Sequence, residues 1–521
     1  MSTQFSLPVR ADEAAAPLLA GRQSVRPLSA LLLYGSATLG LAVGLERVLG
    51  FLSNVLAARI AGPQTFGAYS LALATAGAIA TYAGAGIGTT ATRFSGQYRT
   101  ATKGYRRFIV ALAVVAMSSA TLAALLMLVG AVPLGRWVLK NEGLIVFLRL
   151  SAASSAAIVL LDCCRGLLVG QQKYQAMLLL SVVSGVGLIL VLPLAARISA
   201  GVMILGQGTV ALCCVAAFLA LAKRFGLWPD DDHDRDAGPG IGSVLTFGLV
   251  QFSAFAGITV ASWWMASLVV RSDATLKQMG LYAIASQFRG LVALAPGLCA
   301  QVGYSLLTDE SGSQYGGPKH VMLVNSFLAS TLATMTATCG IVLAPWLLGL
   351  VYGRSFSGAE AAVVILLATA VVHMSGVPAA QRLNIVGLRL AGIISTIWAV
   401  LIAMLGIWLV PRAGAKGAAL AFLASHTFSQ LLVILALGRL GELAKGYLAL
   451  FSTTTIGSAL LGGLGYWRSY GPNRIALTIA LAALSILMWV VLWHVGRRTR
   501  CLPEWKTIWV RLHQQRDVAH S

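Results

Sequence analysis

Apolar residues run through this chain in long unbroken blocks, and its polar residues collect in short clusters between them. A half-buried strand would alternate every second residue, and a surface helix would carry one stripe three to four residues apart. Neither pattern dominates. The blocks are apolar on all sides and about 20 residues or longer, enough to cross about 30 Å of hydrocarbon at 1.5 Å per residue. Fourteen such blocks can be drawn between residues 30 and 495. Backbone polar groups find no water in lipid, so the blocks are expected to be helices. The predicted fold class is an all-α polytopic membrane protein with about 14 transmembrane helices.

The pattern also repeats. Phe66-Gly67-Ala68-Tyr69 returns as Met279-Gly280-Leu281-Tyr282, and 279 − 66 is 213. Gly170, with Pro193 after it, returns as Gly387 followed by Pro411, and 387 − 170 is 217. Two landmarks at nearly one offset predict two pseudo-symmetric six-helix lobes, related by an axis along the membrane normal. The expected organisation is a flexible cytoplasmic N-terminus (1–28), an N-lobe (29–222), a cytoplasmic linker (223–242), a C-lobe (243–440), an appended helix pair (441–496) and a basic cytoplasmic tail (497–521). The linker's acidic run from Asp230 to Asp236 lacks the spacing and closing Glu of a calcium loop, so it is expected to be solvated.

Composition agrees with the pattern. Hydrophobic residues make up 58% and charged residues 11%, against about 25% charged in soluble domains. The net charge of +21 is spread over many short loops, which disfavours a nucleic-acid partner. It is densest at 93–107 and 497–516, placing both termini in the cytoplasm by the positive-inside rule. Residues 1–28 contain no apolar core of a signal peptide. Trp505, Ile508, Trp509 and Leu512 fall at helical spacing beside basic residues, either as an interfacial helix or as part of a basic tail. The seven cysteines show no metal-ligand spacing with His, so no metal is expected and they are taken as small buried hydrophobes.

Charges inside the blocks are the candidate functional residues. A charge at mid-membrane depth costs about 2.5–3.5 kcal/mol on insertion scales and normally faces a bundle interior or a watery cavity. Glu46 and Arg47 sit mid-way along the first block. At helical spacing the Arg47 face holds Gly40, Gly44, Phe51, Asn54 and Ala58, which suits a cavity wall. Adjacent helical residues do not face each other, so Glu46 and Arg47 make a poor pair. Arg289 sits mid-way along the eighth block, on a face with Tyr282 and Ser286. Asn54, Tyr282 and Ser286 are expected to line the same cavity. Arg149 lies near the end of its block, where it either snorkels outward or joins the cavity. Asp162 and Arg165, three apart, read as an intrahelical ion pair or as a site with a coupling carboxylate; Glu46 and Asp162 are the candidate coupling acids. His373 reads as a packed histidine or a proton relay. Gly84, Gly86 and Gly88, with Gly462, Gly463 and Gly465, serve either close helix approach or bending.

One stretch carries a family resemblance. Ala58-Arg59-Ile60-Ala61-Gly62-Pro63, then Phe66-Gly67-Ala68-Tyr69, with Arg93-Phe94 closing the second helix, resembles the first hairpin of Wzx-type polysaccharide flippases. These belong to the multidrug/oligosaccharidyl-lipid/polysaccharide exporter superfamily. The resemblance covers most of the chain and is sharpest in this hairpin. It implies an inner-membrane flippase of undecaprenyl-pyrophosphate-linked oligosaccharides for O-antigen, capsule or exopolysaccharide. It implies no enzymatic step and no cofactor, with H+ or Na+ as the coupling ion. Implied partners are the lipid-linked oligosaccharide, membrane lipids and other polysaccharide assembly proteins. Such flippases place basic residues of spans one, two and eight around a central cavity. That role carries over to Arg47 and Arg289 as phosphate-binding side chains, with Arg149 a further candidate. Arg93 ends span two and is either a cavity residue or a boundary anchor. The alternative within the superfamily is a cation-coupled multidrug exporter, which should bury carboxylates rather than arginines. A glycan polymerase or ligase would need a sizeable outer loop, and the longest inter-span segment is the linker at 223–242.

Overall fold

The computed structural model describes residues 28–98, 104–227, 239–253, 256–308, 317–499 and 501, and every regular element among them is helical. The acidic run of the linker, the N-terminal lead and the stretch around Trp505 lie outside the described residues. The helices are α1 (Leu28–Gly84), α2 (Ile87–Gln97), α3 (Tyr105–Pro133), α4 (Leu144–Leu150), α5 (Ala152–Gly170), α6 (Tyr174–Ala196), α7 (Ala200–Leu221) and α8 (Ile241–Ser253), followed by α9 (Ala256–Ser272), α10 (Lys277–Val292), α11 (Leu294–Thr308), α12 (Pro318–Leu347), α13 (Glu360–Val386), α14 (Leu388–Arg439), α15 (Tyr447–Tyr470) and α16 (Arg474–Arg498).

Two helices are far too long for one crossing. The 47 residues Thr38–Gly84 would run about 70 Å if straight. Instead α1 breaks at Gly62 (φ 74°, ψ 170°), a left-handed position that glycine occupies without a Cβ penalty. Pro63 then opens the second arm, where its missing N–H is not needed. In α14 the same happens at Gly414 (φ 56°, ψ −131°). Span two is interrupted again at Ala85 and Gly86, both at positive φ.

Among the described residues ten helices are long and apolar enough to cross a membrane, or eleven with α10 and α11, bent by 44°, taken as one span. Two of the ten are the glycine-broken helices. The stretch 243–270, one block in the sequence, is two helices, α8 and α9, with residues 254–255 between them outside the described residues. The described helices therefore do not establish the count of fourteen. Hydropathy reports which residues are apolar and is silent on where the backbone breaks.

The backbone irregularities recur at a constant spacing. A π turn at Leu134–Val138 follows Pro133, and another at Leu348–Tyr352 follows Pro345; 348 − 134 is 214. Gly62 and Leu276, both left-handed, are also 214 apart. Ser199, which caps α7, and Gly414 are 215 apart.

Helix α13 is the centre of the C-terminal half, packed by α10, α12, α14 and α15. Almost every residue of its apolar window is buried, and its sequence is accordingly apolar on all sides. The α15–α16 pair is pinned to it through Arg468, which is 1% exposed. Pro345 has no N–H, so the carbonyl of Ile341 loses its helical partner. Arg468 Nη2 donates to that carbonyl at 2.7 Å and Nη1 to Val342 O at 2.9 Å, while Glu360 balances the charge at 3.2 Å. The apolar block ends at Trp467, which placed Arg468 in a loop; the helix continues to Tyr470 and buries it.

Candidate functional site: a cationic cavity between the two halves

The N- and C-terminal halves approach at backbone distance at two levels. At the first level the repeated motif packs on itself. A Cβ on Gly67 would overlap the carbonyl of Leu276, and one on Gly280 would overlap the carbonyl of Pro63. The two helices therefore cross at backbone contact, which only small residues permit. Arg59 reinforces the crossing by donating from Nη1 to Leu350 O, inside the second π turn, at 2.8 Å. At the second level Gly248 of α8 sits against the carbonyl of Ala85. There the Arg93 guanidinium lies 4.3 Å above the Phe247 ring. Arg93 thus bridges the halves through an aromatic face, which the sequence did not indicate.

Between these contacts lies a cavity of about 530 Å³, within the size range of small-ligand sites. Asn54, Tyr282, Ser286 and Arg289 all line it. Tyr69, Trp263, Gln287 and Phe422 complete its polar and aromatic wall. The Trp263 indole donates to Thr75 Oγ1 at 3.0 Å, and Tyr69 OH donates to Gln207 Oε1 at 3.2 Å. Asn54 turns its amide nitrogen to Gly50 O at 2.9 Å, which leaves its oxygen free. The buried Oε1 of Gln287 has no protein partner.

Arg289 is the cation of this cavity. It is half-buried, with its guanidinium 4.6 Å from the Phe422 ring centre. Among the described residues no aspartate or glutamate lines the cavity and Arg289 forms no ion pair.

Four other candidates lie elsewhere. Arg47 is exposed and does not line the cavity. It shares a helix face with Asn54 and with Phe51, whose ring meets Phe288 at 5.6 Å, so that face fronts α10. Arg149 is exposed on the seven-residue α4, away from the cavity lining. Glu46 pairs with Arg165 rather than Arg47, and Ser181 Oγ donates to it at 3.4 Å. Asp162 stands 3.9 Å from the same Arg165. The intrahelical pair is thus the longer of two contacts: Arg165 chiefly neutralises an acid on another helix, which periodicity within α5 could not reveal. Both carboxylates belong to the α1–α5–α6 junction and not to the cavity wall.

His373 lines a second, smaller cavity of about 210 Å³, and Arg289 borders both. Its neighbour there is His426, with ring centroids 4.5 Å apart. His426 was not singled out from sequence, although Ser425-His426-Thr427 and Ser429-Gln430 form a dense polar run inside a span. Among the described residues, no three His, Cys, Asp or Glu side chains are grouped to hold a metal.

The glycines divide by role. Gly86 bends the chain, at φ 71°. Gly88 and Gly166 let α2 and α5 approach, since a Cβ on Gly166 would overlap the carbonyl of Gly88. Gly465 admits Val364 of α13, whereas Gly463 faces open space.

Residues 32–294, half of the chain, match the family model for polysaccharide biosynthesis proteins. No curated protein matches the sequence. Among solved structures, the chain is similar to the lipid II flippase MurJ in an inward closed conformation (14% identity, TM-score 0.63), over 88% of this chain and 98% of that one. It is similar to an inward-facing multidrug resistance MATE family transporter of the MOP superfamily (17% identity, TM-score 0.56), over 79% and 99% of the two chains. It also matches a MOP superfamily transporter from Pyrococcus furiosus (14% identity, TM-score 0.50), over 79% and 95%. At these identities the likeness is one of fold. With the hairpin motif and the family match in agreement, the chain belongs to the polysaccharide biosynthesis protein family.

Proposed function

We propose that this protein flips a polyprenyl-pyrophosphate-linked oligosaccharide across the bacterial cytoplasmic membrane, for O-antigen, capsule or exopolysaccharide assembly. The observation that carries this is Arg289, a cation without a carboxylate partner, opening into a membrane-embedded cavity with no acid in its wall. An unpaired charge there is costly, and a bound pyrophosphate offsets that cost through charge-assisted hydrogen bonds. Asn54, Tyr282, Ser286 and Gln287 offer hydrogen bonds to sugars, while the polyprenyl tail stays in lipid. Arg47, on the α1 face that fronts α10, is suited to meet the headgroup on its way in.

The constant spacing of backbone irregularities and the self-packing of the repeated motif support two lobes that rock about the cavity. The basic loops support a cytoplasmic location of both termini, and no covalent step is required. The multidrug reading would need a carboxylate in the cavity for an organic cation; Glu46 and Asp162 are instead engaged with Arg165.

The test is leaflet-resolved accumulation of lipid-linked oligosaccharide in cells carrying Arg289→Ala, with membrane abundance measured alongside. Flipping should fall at least about tenfold, the loss of one charge-assisted contact of about 1.5–3 kcal/mol. Arg289→Lys should retain part of the activity, because charge survives and the two-pronged geometry does not. Full export by Arg289→Ala at normal abundance would remove anion binding at this cavity.

A further inference from the structure

The smaller cavity lies against Arg289 within the C-terminal half, and its chemistry differs from that of the larger one. His373 comes from α13 and His426 from the second arm of α14. Their rings lie 4.5 Å apart at 32°, and His426 also meets the Trp398 ring at 5.2 Å. Two buried polar atoms here have no protein partner: the Nε1 of Trp398, a residue 6% exposed, and the Oε1 of Gln430, 5% exposed. Gly376 makes room for the Gln430 amide, since a Cβ at 376 would overlap it. The site is thus a pocket with polar groups on α9, α10, α13 and α14 and side-chain hydrogen-bonding capacity left over for water or an ion.

The groups facing the histidine pair restrict which ion that is. From α10 the pair meets Arg289, and from α9 only Ile258 and Ser262. From α13 and α14 each imidazole meets the other, beside Ser395, Ser429 and Gln430. Among the described residues no acid lines the cavity. A sodium ion has no carboxylate to neutralise it and is repelled by the guanidinium. A proton needs only an imidazole lone pair, and histidine is the side chain that exchanges one near neutral pH. While Arg289 is uncompensated, its positive charge opposes a second one next to it. An anion on Arg289 removes that opposition. Binding linkage then requires that the proton, once on the pair, favours the anion by the same factor.

We infer that His373 and His426 form the coupling site of this flippase, taking one proton from solvent onto an imidazole nitrogen when an anionic diphosphate occupies Arg289. Substrate and proton are therefore held together in the loaded state and leave together. This rests on the flippase reading above and adds to it the coupling ion, its site and the sign of the coupling.

The test uses full-length protein in lipid nanodiscs. The probe is a C15 polyprenyl diphosphate ester of N-acetylhexosamine, a diester that does not itself titrate near neutral pH. Calorimetry in two buffers of different ionisation enthalpy counts protons exchanged on binding. Wild type should take up a substantial fraction of one proton per probe near about pH 7, and the His373→Gln/His426→Gln variant should bind with little or none. In wild type, histidine ¹⁵N spectra should show the pair gaining imidazolium character when probe is added, a readout that needs no folded double variant. Binding without proton uptake, or with uptake unchanged in the glutamine variant, would overturn the inference and leave the flippase reading standing. Absence of probe binding to wild type would overturn the flippase reading, and this inference with it.

Discussion

Arg468 and Glu46 show how differently a membrane-embedded charge is used in this chain. Arg468 is structural: it donates to the carbonyl of Ile341 left free by Pro345 and to that of Val342, and is neutralised by Glu360. Removing one member of a buried pair strands the other, at about 3–5 kcal/mol. Arg468→Leu should therefore markedly lower the thermal midpoint of the detergent-solubilised protein, and Glu360→Leu added to it should recover part of the loss. No recovery would mean that the free carbonyls, not the stranded carboxylate, dominate. Glu46 and Asp162 share Arg165 away from the cavity. Glu46→Gln and Asp162→Asn are expected to leave the gradient dependence of flipping unchanged at normal abundance. Loss of that dependence in either variant would move ion coupling into the N-terminal half. At this scale the sequence put Glu46 at membrane depth and Arg468 in a loop, and it revealed neither pairing, because the partners sit on other helices more than a hundred residues away.

Among the elements, the crossing of α1 and α10 sets how closely the halves approach. Gly67 and Gly280 bring backbone against backbone, and a backbone cannot step aside as a side chain can. Gly280→Ala should hold the two helices apart at the Gly62 end. The expected result is lost flipping with normal insertion, together with faster thiol labelling of a Ser286→Cys reporter in the cavity. Unchanged labelling would show that the crossing tolerates a methyl group and does not govern access. The two arms of α1 and of α14 belong to the same scale. Each break centres on one glycine; the sequence pattern placed a break near both, and the backbone angles identify the residue that makes it.

For the whole molecule, the expected orientation follows from basic loops and from the parallel repeat. Reporters fused after Ser521 and inserted within 230–236 should both read as cytoplasmic. An outward signal from either would sink this topology. The fold itself is that of a multi-pass transporter, matched over 88% of the chain by a flippase at only 14% identity. Many sequences can supply apolar helices of the right length, and the arrangement of those helices is what persists.

The sequence by itself determined the class of protein and the family, and it proposed the repeat and the helix faces of Asn54, Tyr282, Ser286 and Arg289. These depend on local quantities: apolar length, periodicity, and the cost of placing a charge in lipid. Only the tertiary structure decided that Arg289 lines the cavity while Arg47 and Arg149 do not, that Glu46 belongs to Arg165, and that His426 stands beside His373. It also decided which glycines bend the chain and which let helices touch. The physical reason is that helical spacing assigns each residue a face but not a neighbour. In lipid, packing and pairing between distant helices choose the neighbour.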